Sequence, residues 1–483
     1  MQEIKKVKVK VRKLEDRLRE VRKENRALRQ KNKDLRDSWL SWKTKGKDRL
    51  KELRACQKEL KKYSEHNDKR FSKKPKGYQY SSTIICLVIW VRTWCNCSLR
   101  GCVKLLEILV ELLDFPLSRV PCASTIYYWE CKLGHHRVNK GPSEESTWTV
   151  IVDESITIAQ QRMLLILGVR MEDYNFEGPL SFGDVSVLWL GVRRSWTELC
   201  IWEQIRHLKE RGYHFVNSIS DSGSAIVKAL KASEISRVSD CTHELGNILQ
   251  RQYKKSEAYK SFSNLCGRLK KEIMNGPYTY LIPPTQRVKG RFLNLYELSD
   301  WAYYMIMSLK TNSLGGINQK VLTKLNQLLA YEDLICQIFH QCQTSKNLHQ
   351  VLKTEGLSKQ SKEKGLQILQ TSRADNYFKE SATNYMNENI RKGEQLICCS
   401  DIIESFFGKL KNGLSKNKMN GFGLSSLKLA NMTYSFTIEE TILAMEKTSM
   451  LHLKFWAKEN LSPNVLATRR NWLKNARENF FAA

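Results

Sequence analysis

The sequence lacks any apolar run long enough to cross a bilayer. Its longest, Thr83 to Val91, has nine residues and ends at Arg92, whereas a membrane-spanning helix needs roughly 20. The N-terminus also lacks the apolar stretch of a secretory signal. It is charged and helix-forming, which points to a protein that stays inside the cell, in the bacterial cytoplasm beside the nucleoid or in a eukaryotic nucleus. The 14 cysteines are scattered singly or in close pairs through 483 residues, a spacing that reads as reduced thiols in such a compartment. Acidic residues are in short supply: 50 Asp+Glu face 80 Lys+Arg, for a net charge of +30. A surplus of that size points to a polyanionic partner, with nucleic acid the default. At 41% hydrophobic and 10% aromatic residues, the chain is no disordered polycation. Its length suggests about three domains, with at least one large core.

More than half of the excess charge lies in residues 1–76, where 29 Lys+Arg stand against 12 Asp+Glu. This stretch is also periodic. Ile4, Val7, Val11, Leu14, Leu18, Val21, Asn25, Leu28, Asn32, Leu35, Trp39 and Trp42 follow alternating steps of three and four, the seam of a coiled coil. Asn25 and Asn32 fall at a positions, where a buried amide lowers stability but favours an in-register parallel dimer. Residues 1–72 are therefore expected to form a basic, dimerising coiled coil. A single long surface helix is the plainer alternative. A basic zipper fits less well, because the cations are spread evenly rather than gathered before the seam. Lys73-Lys74-Pro75-Lys76-Gly77 then reads as a helix-breaking linker.

Residues 78–140 read as a helix-turn-helix-like DNA-binding module. Leu99 to Leu113 is apolar at helical spacing, and a turn bearing Pro116 and Pro121 follows. Ser124 or Thr125 could cap a second helix closed by Gly134 and ending in His135, His136 and Arg137. A plain helical hairpin would look the same. Cys95, Cys97, Cys102, Cys122, Cys131 and His135 lack the paired Cys-x₂-Cys spacing of a zinc ribbon or finger, so no metal is expected there.

From Thr147 the pattern changes. Thr147–Ile158, Arg162–Met171 and Val185–Val192 read as three successive buried strands. A helix over Trp196–Arg211 leads to a fourth strand, Tyr213–Ser220, then a short helix, Ala225–Leu230, and a fifth strand, Ile235–Val238. This order predicts an α/β core with a mixed five-stranded sheet of the RNase-H-like kind. Asp153 lies within the first strand and Asp221 at the end of the fourth, its neighbour in that fold. A carboxylate inside an apolar strand is costly without a cation. Two at adjacent strands would repel unless a divalent ion sat between them, and hard oxygen donors select Mg²⁺ or Mn²⁺.

With VDES around Asp153, SDSGSA around Asp221, DCTHE with Asp240 and His243, and DIIESFFGKLK around Glu404, the chain resembles DDE transposases. The resemblance spans roughly 146–440. It is to the group with an RNase-H-like core and a large helical insertion, as in hAT-type elements and related bacterial insertion sequences. It implies that Asp153, Asp221 and Glu404 are catalytic metal ligands, and that Asp240-x-x-His243 is the element such enzymes keep near the active site. His243 would then assist as a proton carrier or orient an acid. Two other acids compete for these places: Glu154 beside Asp153, and Asp401 on the helix of Glu404.

The long stretch between Asp221 and Glu404 exceeds what one crossover needs. Its amphipathic runs, Leu265–Ile273, Leu298–Leu309, Val321–Leu329 and Leu334–Phe339, predict an α-helical insertion over 247–395. That insertion divides the core into 146–246 and 396–440, and a helical basic tail, 441–483, follows with one apolar helix at about Thr437–Leu453. Trp301 is a candidate for stacking on an unpaired base, or a core tryptophan. Arg287, Lys289 and Arg291 before it, and Lys409, Lys411, Lys416 and Lys418 after Glu404, are candidates for phosphate contacts. The expected activity is metal-dependent cleavage at element ends and strand transfer into double-stranded DNA. Two other classes fit: a non-catalytic DNA-binding descendant of a transposase, and a structure-specific nuclease that does not join strands.

Overall fold

The computed structural model describes residues 2–64, 73–113, 115, 117–142, 146–155, 157–285, 295–390, 394–413 and 421–482, which divide into two units, 1–74 and 75–483. The first unit is one 63-residue helix, α1 (Gln2–Ser64). Leu18, Val21, Leu28, Leu35, Trp39 and Trp42, all seam positions, are exposed along it. The side chains of Ile4, Val7, Val11 and Leu14 lie outside the described residues.

In the second unit the strands form where β-branched and aliphatic residues run together. The five are β1 (Thr147–Glu154), β2 (Arg162–Arg170), β3 (Val185–Arg193), β4 (His214–Ser220) and β5 (Arg237–Ser239). They make one sheet in the order β3-β2-β1-β4-β5. β1 pairs antiparallel with β2, and β2 with β3, whereas β1–β4 and β4–β5 are parallel. β1 stops at Glu154, short of the expected Ile158, because Ile158 turns to bond with Gln161 in a tight link to β2.

Both sheet faces are covered, as near-continuous apolar strands require. On one face Val150, Val152 and Ile166 meet Ile201, Ile205 and Leu208 of α5 (Glu198–Glu210) and Ile226 and Leu230 of α6 (Ser224–Ala232). On the other, Ile151, Leu165, Leu167 and Ile219 meet Ile403, Phe406, Phe407 and Leu410 of α14 (Asp401–Gly413).

Between β5 and α14 the chain is helical among the described residues: α7 (Cys241–Tyr253), α8 (Glu257–Ile273), α9 (Leu295–Lys310), α10 (Gln319–Leu325), α11 (Glu332–Glu355), α12 (Lys359–Thr371) and α13 (Asn376–Asn389). They share an apolar core that also includes Val238 of β5 and Cys241 and Leu245 of α7.

Ahead of the sheet stand three helices, not two: α2 (Ser82–Trp94), α3 (Leu99–Leu113) and α4 (Ala123–Val138). The cap of α4 is Cys122, with no side-chain cap bond, rather than Ser124 or Thr125. Nor does Gly134 close the helix. It lies within it because a Cβ there would come 2.1 Å from the carbonyl oxygen of Leu427, in the 3₁₀ run Leu424–Met432. The far end of α4 is likewise buried. The Arg137 side chain, 2% exposed, forms a two-pronged ion pair with Glu440 and bonds to the carbonyls of Ala430 and Tyr434. α4 therefore does not stand clear as a recognition helix would.

The expected single helix near 437–453 is two, α15 (Ile438–Lys447) and α16 (Met450–Asn460), broken where Ser449 forms a capping box with His452. α17 (Val465–Ala482) ends the described chain. No helix among the described residues is long and apolar enough to cross a membrane.

Candidate active site

Alternation along a strand decides where Asp153 points. Ile151 belongs to the face covered by α14, and two residues on, Asp153 lies on that same face. Asp221 follows β4 directly, again two residues beyond a member of that cluster, Ile219. α14 is held against the sheet by Ile403, Phe406 and Phe407, and Glu404, between them, is exposed. The sheet and its covering helix thus place Asp221 and Glu404, from remote parts of the chain, within electrostatic reach of Asp153.

Their mutual influence is visible at Asp153. Its carboxyl is pushed well above the usual carboxylate range, chiefly by burial and then by the negative charge of Asp221, with Glu404 and Asp240 adding to it. The backbone N–H of Glu154, donating to Asp153 Oδ1 at 2.7 Å, works the other way. Asp221 is oriented similarly: Gly223 N–H donates to its Oδ1 at 2.9 Å. A side chain on Gly223 would press on that oxygen at 2.9 Å. In each aspartate one oxygen is fixed by a backbone donor, and the other remains for a further ligand.

The two rival acids are occupied elsewhere. Glu154 lies next along β1 and pairs with Arg162 at 3.4 Å; burial raises its pKa and Arg162 opposes the rise. Asp401 faces the insertion, where Lys353 Nζ lies 2.6 Å from Oδ2 and the Thr242 hydroxyl donates to Oδ1 at 2.8 Å. Burial would raise its pKa, but His349 and Lys353 hold it well below the usual carboxylate range.

Asp240 is 1% exposed and works as an anchor. Its Oδ1 accepts the N–H of His243 at 3.0 Å, capping α7, and its Oδ2 accepts the N–H of Ser400 at 2.7 Å and the Ser400 hydroxyl. One buried carboxylate thereby ties the start of the insertion to its return, one residue before α14. His243 stands half-buried in the first turn of α7.

No family model and no curated protein matches the sequence. Among solved structures the chain is similar to the Drosophila P element transposase strand transfer complex, with 14% identity and a TM-score of 0.38 over 82% of this chain and 100% of that one. A likeness that slight carries no argument for function.

Sequence reasoning passes over Arg237. Its guanidinium donates to the backbone oxygens of Ser220, at 3.1 Å, and Asp221, at 2.8 Å, and to the Ser220 hydroxyl at 2.8 Å. Burial lowers its pKa while Asp221 opposes that shift. It fixes the turn that presents Asp221; the only signal in the sequence is a cation opening the strand next to β4.

Of the candidate DNA contacts, Lys409 is exposed, 5.9 Å from the centre of the Phe182 ring, and Lys411 is half-buried. Trp301 is half-buried on the insertion core, and its indole N–H donates to the carbonyl of Leu281 at 3.1 Å. Arg287, Lys289, Arg291, Lys416 and Lys418 lie outside the described residues.

Proposed function

We propose that the chain is a DDE-type DNA transposase, which cuts phosphodiester bonds at the ends of a mobile element and joins the freed 3′ ends to target DNA. The observation that carries this reading is geometric: Asp153 and Asp221 stand at the ends of the neighbouring parallel strands β1 and β4, and Glu404 lies on the helix packed over the same sheet face. Strand order and direction support an RNase-H-like core beneath these acids. The +30 charge supports DNA as the partner.

The donor set fits a hard divalent cation, because it consists of carboxylate oxygens on rigid elements. Mg²⁺, or Mn²⁺ in its place, would supply activation of the attacking oxygen and stabilisation of the leaving one. Asp153 and Asp221 would hold the ion from the strand ends, with Glu404 of α14 as the third ligand. Water attacks first and the freed 3′-hydroxyl second, so no side chain is covalently modified. Lys409 and Lys411, on the turns of α14 after Glu404, take the DNA backbone beside the site, and Arg287, Lys289 and Arg291 remain candidates for phosphate contacts from their sequence alone. His243 is the proton carrier closest in sequence to the Asp240 anchor.

The test is an in vitro cleavage and strand-transfer assay on linear DNA bearing the element ends, with Mg²⁺, comparing wild type with Asp153→Ala. Cleavage and joining by wild type alone is the expected result. Equal cleavage by both proteins removes the assignment, and cleavage without joining makes the chain a nuclease of the same core.

A further inference from the structure

A second cluster of metal-binding side chains lies on the insertion side of Asp240, built from donors of a different kind. Cys241, His349 and Cys399 present one ligand atom each, all within 4.8 Å of one another. Cys241 opens α7, His349 lies on α11, and Cys399 is on the returning chain just before α14. Both cysteines are buried, at 0% and 5% exposed. His349 turns Nε2 toward the group, 3.7 Å from Cys399 Sγ. The backbone holds the three together independently of their side chains: Cys241 N–H donates to the Cys398 carbonyl at 2.8 Å, and the Asp240–Ser400 bonds lie alongside.

We infer that Cys241, His349 and Cys399 bind a structural Zn²⁺ ion, with water completing its coordination. Tetrahedral zinc with Zn–S of about 2.3 Å and Zn–N of about 2.0–2.1 Å requires S···N separations of about 3.6 Å and S···S of about 3.8 Å. The 3.7 Å between Cys399 Sγ and His349 Nε2 meets that requirement. Soft thiolates with one imidazole select zinc over the magnesium that an all-carboxylate site takes. Asp401 borders the group, its Oδ2 3.4 Å from His349 Nε2 and 2.6 Å from Lys353 Nζ. The Thr242 hydroxyl, 2.9 Å from His349 Nε2 and 2.8 Å from Asp401 Oδ1, steers the carboxylate. A cavity of about 60 Å³ lined by Lys353, Cys399, Asp401 and Ser405 offers a way in for the ion.

The ion would staple the beginning, middle and end of the insertion to one point, immediately before the helix that carries Glu404. The inference rests on donor geometry and stands whether or not the chain moves DNA.

The test is metal analysis of the full-length protein purified in reductant without chelator and incubated with Zn²⁺. We expect about one tightly held zinc per chain. We also expect an intense thiolate-to-metal absorption when Co²⁺ replaces it, and a lower unfolding midpoint after chelation. His349→Ala should lose the ion and become insensitive to chelator, while His349→Cys, which restores a thiolate donor, should keep it. Substoichiometric zinc in folded wild type, or a zinc content unchanged by His349→Ala, overturns the proposal. A Cys241–Cys399 disulfide found by mass spectrometry in reductant-treated, zinc-free protein does so as well.

Discussion

At the scale of the residue, Arg137 is a charged side chain enclosed by its partners. Its guanidinium makes five contacts, two to Glu440, one each to the Ala430 and Tyr434 carbonyls, and one to the Thr433 hydroxyl, and it stacks 4.2 Å from the Tyr434 ring. Removing one member of a buried ion pair strands the other, which typically costs about 3–5 kcal/mol. Arg137→Met is therefore expected to lower unfolding stability by about that amount in denaturant titration. Arg137→Lys should recover only part of the loss, since an ammonium cannot match the planar fork that Glu440 receives. Full recovery by lysine would mean that charge alone, not geometry, holds α4 to the chain after α14.

At the scale of the element, Gly134 offers a reversal of sign. In an open helix Gly→Ala stabilises by about 1 kcal/mol. In α4 the new methyl would meet the Leu427 carbonyl at 2.1 Å, so Gly134→Ala should instead destabilise by about 1–3 kcal/mol, read as a lower unfolding midpoint. The same helix shows why parts of the fold escape a reading of the sequence. β1 to β4 are legible because long aliphatic runs bounded by polar residues have one sensible use. β5 is expected at Ile235–Val238 but falls at Arg237–Ser239, because its bounds are set by pairing with Ser218, Ile219 and Ser220. α2 is apolar on nearly every side and so has no helical stripe to detect. Gly134 looks like a terminator because glycine often is one, and its true cause lies nearly three hundred residues away. For the site, Asp153 and Asp221 stand out in the sequence by their places on two strands expected to be neighbours, whereas Glu404 is reached only through family resemblance. Arg237, Ser400 and His349 carry no local pattern at all; each matters through contacts that only the folded chain creates.

At the scale of the whole molecule, α1 is a 63-residue helix with apolar seam positions exposed. Long helices in water draw their stability from packing of an apolar face, which argues for a second copy along the seam. Light scattering of the full chain should give a dimer, and removal of residues 1–60 a monomer; an oligomeric state that survives the deletion assigns self-association to another surface.

The dependence of α4 on Leu424–Met432 also has a bearing on biosynthesis. A ribosome releases the helix nearly three hundred residues before its cover, so through that stretch of translation a hydrophobic flank waits without its mate. The same delay separates the central strand from α14. Such a nascent polypeptide presents sticky surface for many seconds at ordinary elongation speeds, and holding it apart from its neighbours on a polysome becomes a task for chaperones.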